Sequence, residues 1–253
     1  MATTSIVPAT LGSNPQLVVG ASLLCFCMDP QWGHLYFLLG KERKNVRWST
    51  GSERWSDFGG RSARTDSSPE TTAAREFLEE TLAMIQYFEG DTIPRTSYED
   101  IADSLCRGEY TFRFTIDLGV VNGVRRCYIT FVKQIPWDTK MVPRFNKCRM
   151  LIMNVAMHYG SVSWLELLSG HPAVSVPRHP GVAVQIRKPF LEKKSIGLWS
   201  IPQFQHALEF DGIMLSRNGH VERCRPAFTS FIEMLLGELN FYAPERMHET
   251  TTI

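Results

Sequence analysis

The stretch Gly59–Ile85, GGRSARTDSSPETTAAREFLEETLAMI, decides the reading of this chain. Its second half has the marks of a helix. Ser68 is a capping residue type and Pro69 suits the first helical position. Ala73, Ala74, Phe77, Leu78, Leu82 and Ile85 supply helix formers and an apolar stripe. Glu76, Glu79 and Glu80 fall at i, i+3 and i+4, so three carboxylates share one face. Such crowding persists readily when a cation offsets it, and hard oxygen ligands suit Mg²⁺ or Mn²⁺. Arg75 stands four residues before Glu79 and is placed to hold that carboxylate. Taken alone, Arg-Glu-x-x-Glu-Glu also fits a solvated acidic face with a helical ion pair.

The residues ahead of the helix separate these readings. Strand-like Trp55-Ser56-Asp57-Phe58 runs into Gly59-Gly60, and a polar loop leads to Ser68-Pro69-Glu70. Strand, Gly-Gly, loop and Arg75-Glu76-x-x-Glu79-Glu80 together resemble the Nudix box, G-x5-E-x7-R-E-U-x-E-E-x-G-U with U aliphatic. The chain departs from that pattern in three places. The loop is one residue longer from Gly60. The early Glu, which supports the site in the family, falls on Ser67, with Asp66 beside it. The late Gly falls on Leu82. That glycine ends the helix in a left-handed conformation, so its loss predicts a helix that continues past Leu82, with Gly90 as the stop.

The resemblance implies a fold, a reaction and a set of residues. The fold is α/β: a Nudix-type α/β/α sandwich with a mixed sheet, here with an insertion and a C-terminal helix. The reaction is hydrolysis of a diphosphate linkage in a nucleoside-diphosphate-linked substrate, with Mg²⁺ or Mn²⁺ as cofactor. By motif position Glu76, Glu79 and Glu80 are metal ligands, and a backbone carbonyl of Gly59 or Gly60 adds another. Arg75 orients a Glu. The general base stays open among Glu76, Glu79 and Glu192. Glu192 enters because it precedes a segment ending in Trp199, where the family often has a late acid that reaches the metal; a surface acid paired with Lys193 or Lys194 is the alternative. Lys41 and Arg43 end the second strand, where basic residues approach a substrate phosphate in the family or simply face water. Trp48 is open between stacking on a base and packing, whereas Trp55 is expected to pack.

Composition sets outer limits. The 253 residues are 43% hydrophobic and 21% charged, normal for a soluble globular protein. A formal net charge of +1 provides no overall basic field to attract RNA. The cysteines at 25, 27, 106, 127, 148 and 224 form no C-x-x-C pair, so reduced thiols in a cytoplasmic or nuclear protein are expected. No apolar run reaches membrane-spanning length.

Along the chain, residues 1–15 and 244–253 read as loose tails around one domain, 16–243. Leu17–Met28 is a continuous apolar run, as in a buried central strand. Ser97 caps a short helix to about Cys106. Asn122-Gly123 between two apolar segments is the preferred pair for a tight hairpin turn. Residues 138–182 exceed what a minimal domain of this kind needs and are assigned to an insertion, with short helices at 150–158 and 162–168 and a Pro-rich loop holding His171 and His179. Val182–Ile186 alternates like a strand, and Pro226–Leu239 is a strongly amphipathic helix. Local basic clusters, among them Lys188 to Lys194, keep an mRNA-decapping enzyme acting on capped RNA as one alternative. A non-catalytic Nudix-fold binding module is the other, prompted by Ser67 and Leu82.

Overall fold

A computed structural model describes residues 16–45, 50–90, 97–159 and 192–242. The two tails, Trp48, the segment with His171 and His179, and the expected helix at 162–168 and strand at 182–186 lie outside the described residues. So does Lys188.

The apolar run becomes β1 (Gln16–Met28), buried almost continuously from Gly20 to Cys27. Burial on both faces follows from its place near the middle of a mixed seven-stranded sheet, ordered β3-β2-β1-β6-β5. Here β2 is Leu35–Glu42, β3 Trp55–Ser56, β4 Phe58–Arg61, β5 Phe112–Val121, β6 Val124–Gln134 and β7 Lys193–Ser200. β1 and β6 run parallel, and the other pairs are antiparallel. β1 shares one edge between two partners: Gly20–Leu23 pair with β4, and Cys25–Met28 pair with β2. β7 lies beyond β2, with Glu42 opposite Lys193. Asn122 and Gly123 turn β5 into β6 with φ of 52° and 76°, the left-handed values a primed turn needs.

Side-chain alternation sends β1 residues to two separate cores. Leu23, Cys25 and Cys27 meet Ala73 and Phe77 of α1 (Pro69–Glu80), together with α2 (Tyr98–Cys106) and α3 (Met141–Tyr159). Leu24 and Phe26 meet α4 (Ile201–Glu209) and α5 (Pro226–Tyr242) on the other face. The result is the expected helix–sheet–helix sandwich. A small hairpin, β8 (Ile213–Leu215) and β9 (Val221–Arg223), joins α4 to α5.

Two expectations change. The helix does not continue past Leu82; α1 ends at Glu80. Leu82 itself takes the left-handed conformation with φ of 59°, followed by Ala83 at 52°. The Leu82 N–H bonds to Glu79 O and the Ala83 N–H to Leu78 O, which is the Schellman pattern without its glycine. Leu82 is 1% exposed, and that burial offsets the cost of placing an L-residue there. The second change is the helix expected at 150–158. It is the longer α3, whose Met141, Phe145 and Ile152 are buried in the α1-side core.

Candidate active site

The Ser68 hydroxyl accepts the Thr71 N–H and starts α1. Ala73, Ala74 and Phe77 then anchor the helix on the sheet, with Phe77 edge-on to Phe58 of β4 at 5.5 Å. This docking brings the Glu-bearing side of α1 against Gly59 and Gly60. A Cβ on Gly60 would lie 2.4 Å from Glu76 Oε1, and one on Gly59 would lie 2.2 Å from Ser22 Cβ. Close approach to the β1 backbone therefore requires glycine at 59, while at 60 a side chain would displace the Glu76 carboxylate.

Arg75 organises one half of the site. Its Nε and Nη2 donate to Asp66 Oδ1 and Oδ2 at 3.0 and 2.9 Å, a bidentate pair. Nη1 donates to Glu76 Oε1 at 2.9 Å and to Glu79 Oε2 at 3.2 Å. The Asp66 side chain is 2% exposed. Burial works to raise its carboxyl, but hydrogen bonds from Arg75, the Ala63 N–H and Thr72 outweigh burial and leave it below its ordinary range. Asp66 thus supports Arg75 where the box pattern has its early Glu, from a position one residue before Ser67. Among the described residues, the Ser67 hydroxyl bonds locally with that of Thr71 at 3.1 Å.

Glu80 belongs to the other half. It is 4% exposed, and its Oε2 accepts the Gly59 N–H at 2.9 Å. Its Oε1 lies 3.3 Å from Lys193 Nζ. Lys193 reaches this point because it stands opposite Glu42 in the β2–β7 register and bonds Glu42 Oε1 at 2.6 Å. Burial alone would push the Lys193 ammonium toward neutrality; Glu80 and Glu42 outweigh that and hold it protonated. The Glu80 carboxyl is raised by burial, against the attraction of Lys193. Glu76 is raised first by burial, is opposed by Arg75, and is pushed further by Glu79 and Glu192.

Glu192 is exposed and interacts with Glu42, Glu76, Glu79 and Glu80. Its carboxyl is nonetheless raised, by partial burial and then by Glu42; its open surface makes it a rim residue of the acidic patch. The Arg43 N–H donates to the Glu192 carbonyl at 2.7 Å, so the backbone of the β2 end runs beside Glu192. Lys41 points the other way. Strand alternation places it on the α5 face, ion-paired with Glu222 beside the packed Trp55, whose Nε1 also donates to Glu222 at 3.0 Å. Trp55 is 7% exposed and edge-on to Trp199. An open cavity of about 380 Å³ on that side is bordered by Lys41, Arg54, Glu222 and Arg223 and is separate from the carboxylates.

The donors divide when tested against a divalent ion. Among the described residues, no three acidic, His or Cys side chains close around one point. Glu76 and Glu79 do fit: both are largely buried, both reach the same Arg75 nitrogen, and both supply hard oxygens. Glu80, expected as a third ligand, already accepts the Gly59 N–H at one oxygen and is ion-paired with Lys193 at the other. The Gly60 carbonyl, an alternative backbone ligand, faces Gly20 of β1. Sequence reasoning missed Glu42 and the inward course of Lys193. Their pairing arises from β2–β7 register across some 150 residues, and local spacing carries no signal of it.

No protein-family model and no curated protein matches the chain. Solved structures do. The NUDIX domain of Shewanella oneidensis NrtR, complexed with ADP ribose, is 11% identical over 92% of this chain and 94% of that one, with a TM-score of 0.39. A C. elegans Ap4A hydrolase is 12% identical over 90% and 99%, with a TM-score of 0.38. A mutT/nudix family protein from Listeria innocua is 13% identical over 88% and 94%, with a TM-score of 0.33.

Proposed function

We propose that this chain is a Nudix-type pyrophosphohydrolase, cleaving a diphosphate linkage in a nucleoside-diphosphate-linked substrate with Mg²⁺ or Mn²⁺. The observation that carries the reading is the Arg75 fork, which gathers Glu76 and Glu79 beside Gly60 while itself clamped by Asp66. Glu76 and Glu79 would hold the ion. A divalent cation in such a site neutralises phosphate charge and activates water. The chain's own residues keep two carboxylates close together despite their repulsion. The docked helix fixes their height above the glycine turn. Glu192 lies at the rim and is a candidate base alongside Glu76 and Glu79, and Arg43, whose backbone pairs with that of Glu192, is the candidate for a substrate phosphate.

The test is hydrolysis of a panel that includes ADP-ribose, Ap4A, nucleotide sugars and capped RNA, each with Mg²⁺ and with Mn²⁺. The E76Q/E79Q double variant should lose turnover to background while keeping the wild-type circular dichroism spectrum. Undiminished turnover in that variant would remove the assignment. One observation favours a non-catalytic nucleotide-binding module instead, namely that both oxygens of Glu80 are already engaged. Under that reading nucleotide binds, no substrate is cleaved, and no divalent ion binds.

A further inference from the structure

The environment of Lys193 differs from that of an ordinary ion pair. Its side chain is fully enclosed, with no exposed surface. Four oxygens surround its ammonium nitrogen: Glu42 Oε1 at 2.6 Å, Ser56 Oγ at 3.1 Å, the Asp57 carbonyl at 3.2 Å and Glu80 Oε1 at 3.3 Å. Two carboxylates, a hydroxyl and a backbone carbonyl are the ligand types a hard divalent cation selects. An ammonium has three hydrogens to give and one positive charge. The shell around it offers a fourth oxygen and two carboxyl groups. Arg225 Nη1, 3.6 Å from Glu42 Oε1, supplies part of the balance from outside the shell. The shell is assembled from four places in the chain: the ends of β2 and β3, the approach to the glycine turn, and the last residue of α1.

We propose that the Lys193 ammonium is a built-in substitute for a divalent cation at the inner carboxylates Glu42 and Glu80. The proposal rests on the metal-dependent reading above for the role of the outer site, and it assigns that site to Glu76 and Glu79 alone. Lys193 is then a positioning residue. It holds Glu80 against the Gly59 N–H, and thereby the end of α1 against the glycine turn, without an ion that could leave.

The experiment counts bound Mn²⁺ by electron paramagnetic resonance of the free ion, with thermal unfolding in parallel, on the full chain. K193A removes the ammonium and opens its space; K193M removes the charge and keeps most of the stem. The expected result is one additional Mn²⁺ equivalent in K193A relative to wild type, with unfolding that becomes Mn²⁺-dependent in a way E80Q/K193A abolishes. If K193A is unfolded without metal, Mn²⁺ should restore its folded circular dichroism spectrum. K193M, whose stem still fills the space, should keep the wild-type count; a folded K193A with the wild-type count, a K193M that gains an ion, or a K193A that Mn²⁺ does not return to the folded state overturns the proposal. The two readings fail separately. A wild-type protein that binds no Mn²⁺ and cleaves nothing removes the hydrolase assignment, while a gain of Mn²⁺ in K193A still decides the role of Lys193.

Discussion

Alanine at Gly60 and at Gly59 should separate the chemistry of the site from its scaffold. At Gly60 the new Cβ would lie 2.4 Å from Glu76 Oε1 and 2.5 Å from its Cδ. These atoms are the far end of a flexible side chain, so the carboxylate moves and the backbone stays. The main loss is the Arg75–Glu76 hydrogen bond, whose partners are 20% and 13% exposed. Partial solvent access puts that loss near the low end of the charged range, about 1 kcal/mol. The expected fall in Tm is ~2–4 °C. Displacing Glu76 should nevertheless weaken Mn²⁺ binding by roughly 10–100-fold if it is a ligand. At Gly59 the same methyl group would lie 2.2 Å from Ser22 Cβ and 2.6 Å from Ser22 Cα. A paired strand backbone cannot yield as a side chain does. Overpacking there should cost about 3 kcal/mol, or a fall of ~6–12 °C. Scanning calorimetry and a Mn²⁺ titration on each variant measure both quantities. Equal Tm losses at the two glycines, or wild-type Mn²⁺ affinity in G60A, would refute the reasoning.

Three further outcomes follow from the same geometry. D66N should destabilise the protein by about 2 kcal/mol at neutral pH, because it breaks a bidentate charged pair. The Asp66 carboxyl lies below its ordinary 3.8 in the folded protein. Its contribution is therefore complete above that pH and drains away as pH falls through the lower folded value, so wild-type and D66N Tm values should converge in acid. A83G should raise Tm, since it relieves roughly 1 kcal/mol of left-handed strain at a partly buried residue; L82G should lower it, because losing a buried leucine costs about 2–5 kcal/mol and outweighs the same relief. F145A should cost about 3–5 kcal/mol in denaturant unfolding, given that Phe145 is fully buried; a loss under 1 kcal/mol would mean that α3 is not part of the core.

Local rules carried most of the fold. The Ser68 cap, the Ser97 capping box and the Asn122-Gly123 turn each depend on a few adjacent residues, and all three form as read. The buried run of β1 was legible because only a strand covered on both faces tolerates it. Leu82 misled because its left-handed backbone is stabilised by tertiary burial, which outweighs the local preference for glycine. At the site, Arg75 with Glu76 and Glu79 lies within one turn of helix and was readable from spacing. Lys41 was misdirected because strand parity decides which face a side chain takes: Glu42 faces α1 and Lys41 faces away. The Glu42–Lys193–Glu80 arrangement needs the β2–β7 register, which no short window contains.

The loop between Gly60 and α1 carries its own small closure. The Ala63 N–H donates to Asp66 Oδ2 at 2.8 Å, and the Asp66 N–H donates back to the Ala63 carbonyl at 3.1 Å. This turn fixes the Asp66 carboxylate within reach of the guanidinium, and the Arg75 Nη2 bond to the Arg61 carbonyl at 3.2 Å ties the start of the same loop to α1. Arg75 therefore clasps both ends of the segment that carries the chain from the glycine pair to the helix, so one guanidinium sets the loop as well as the carboxylates.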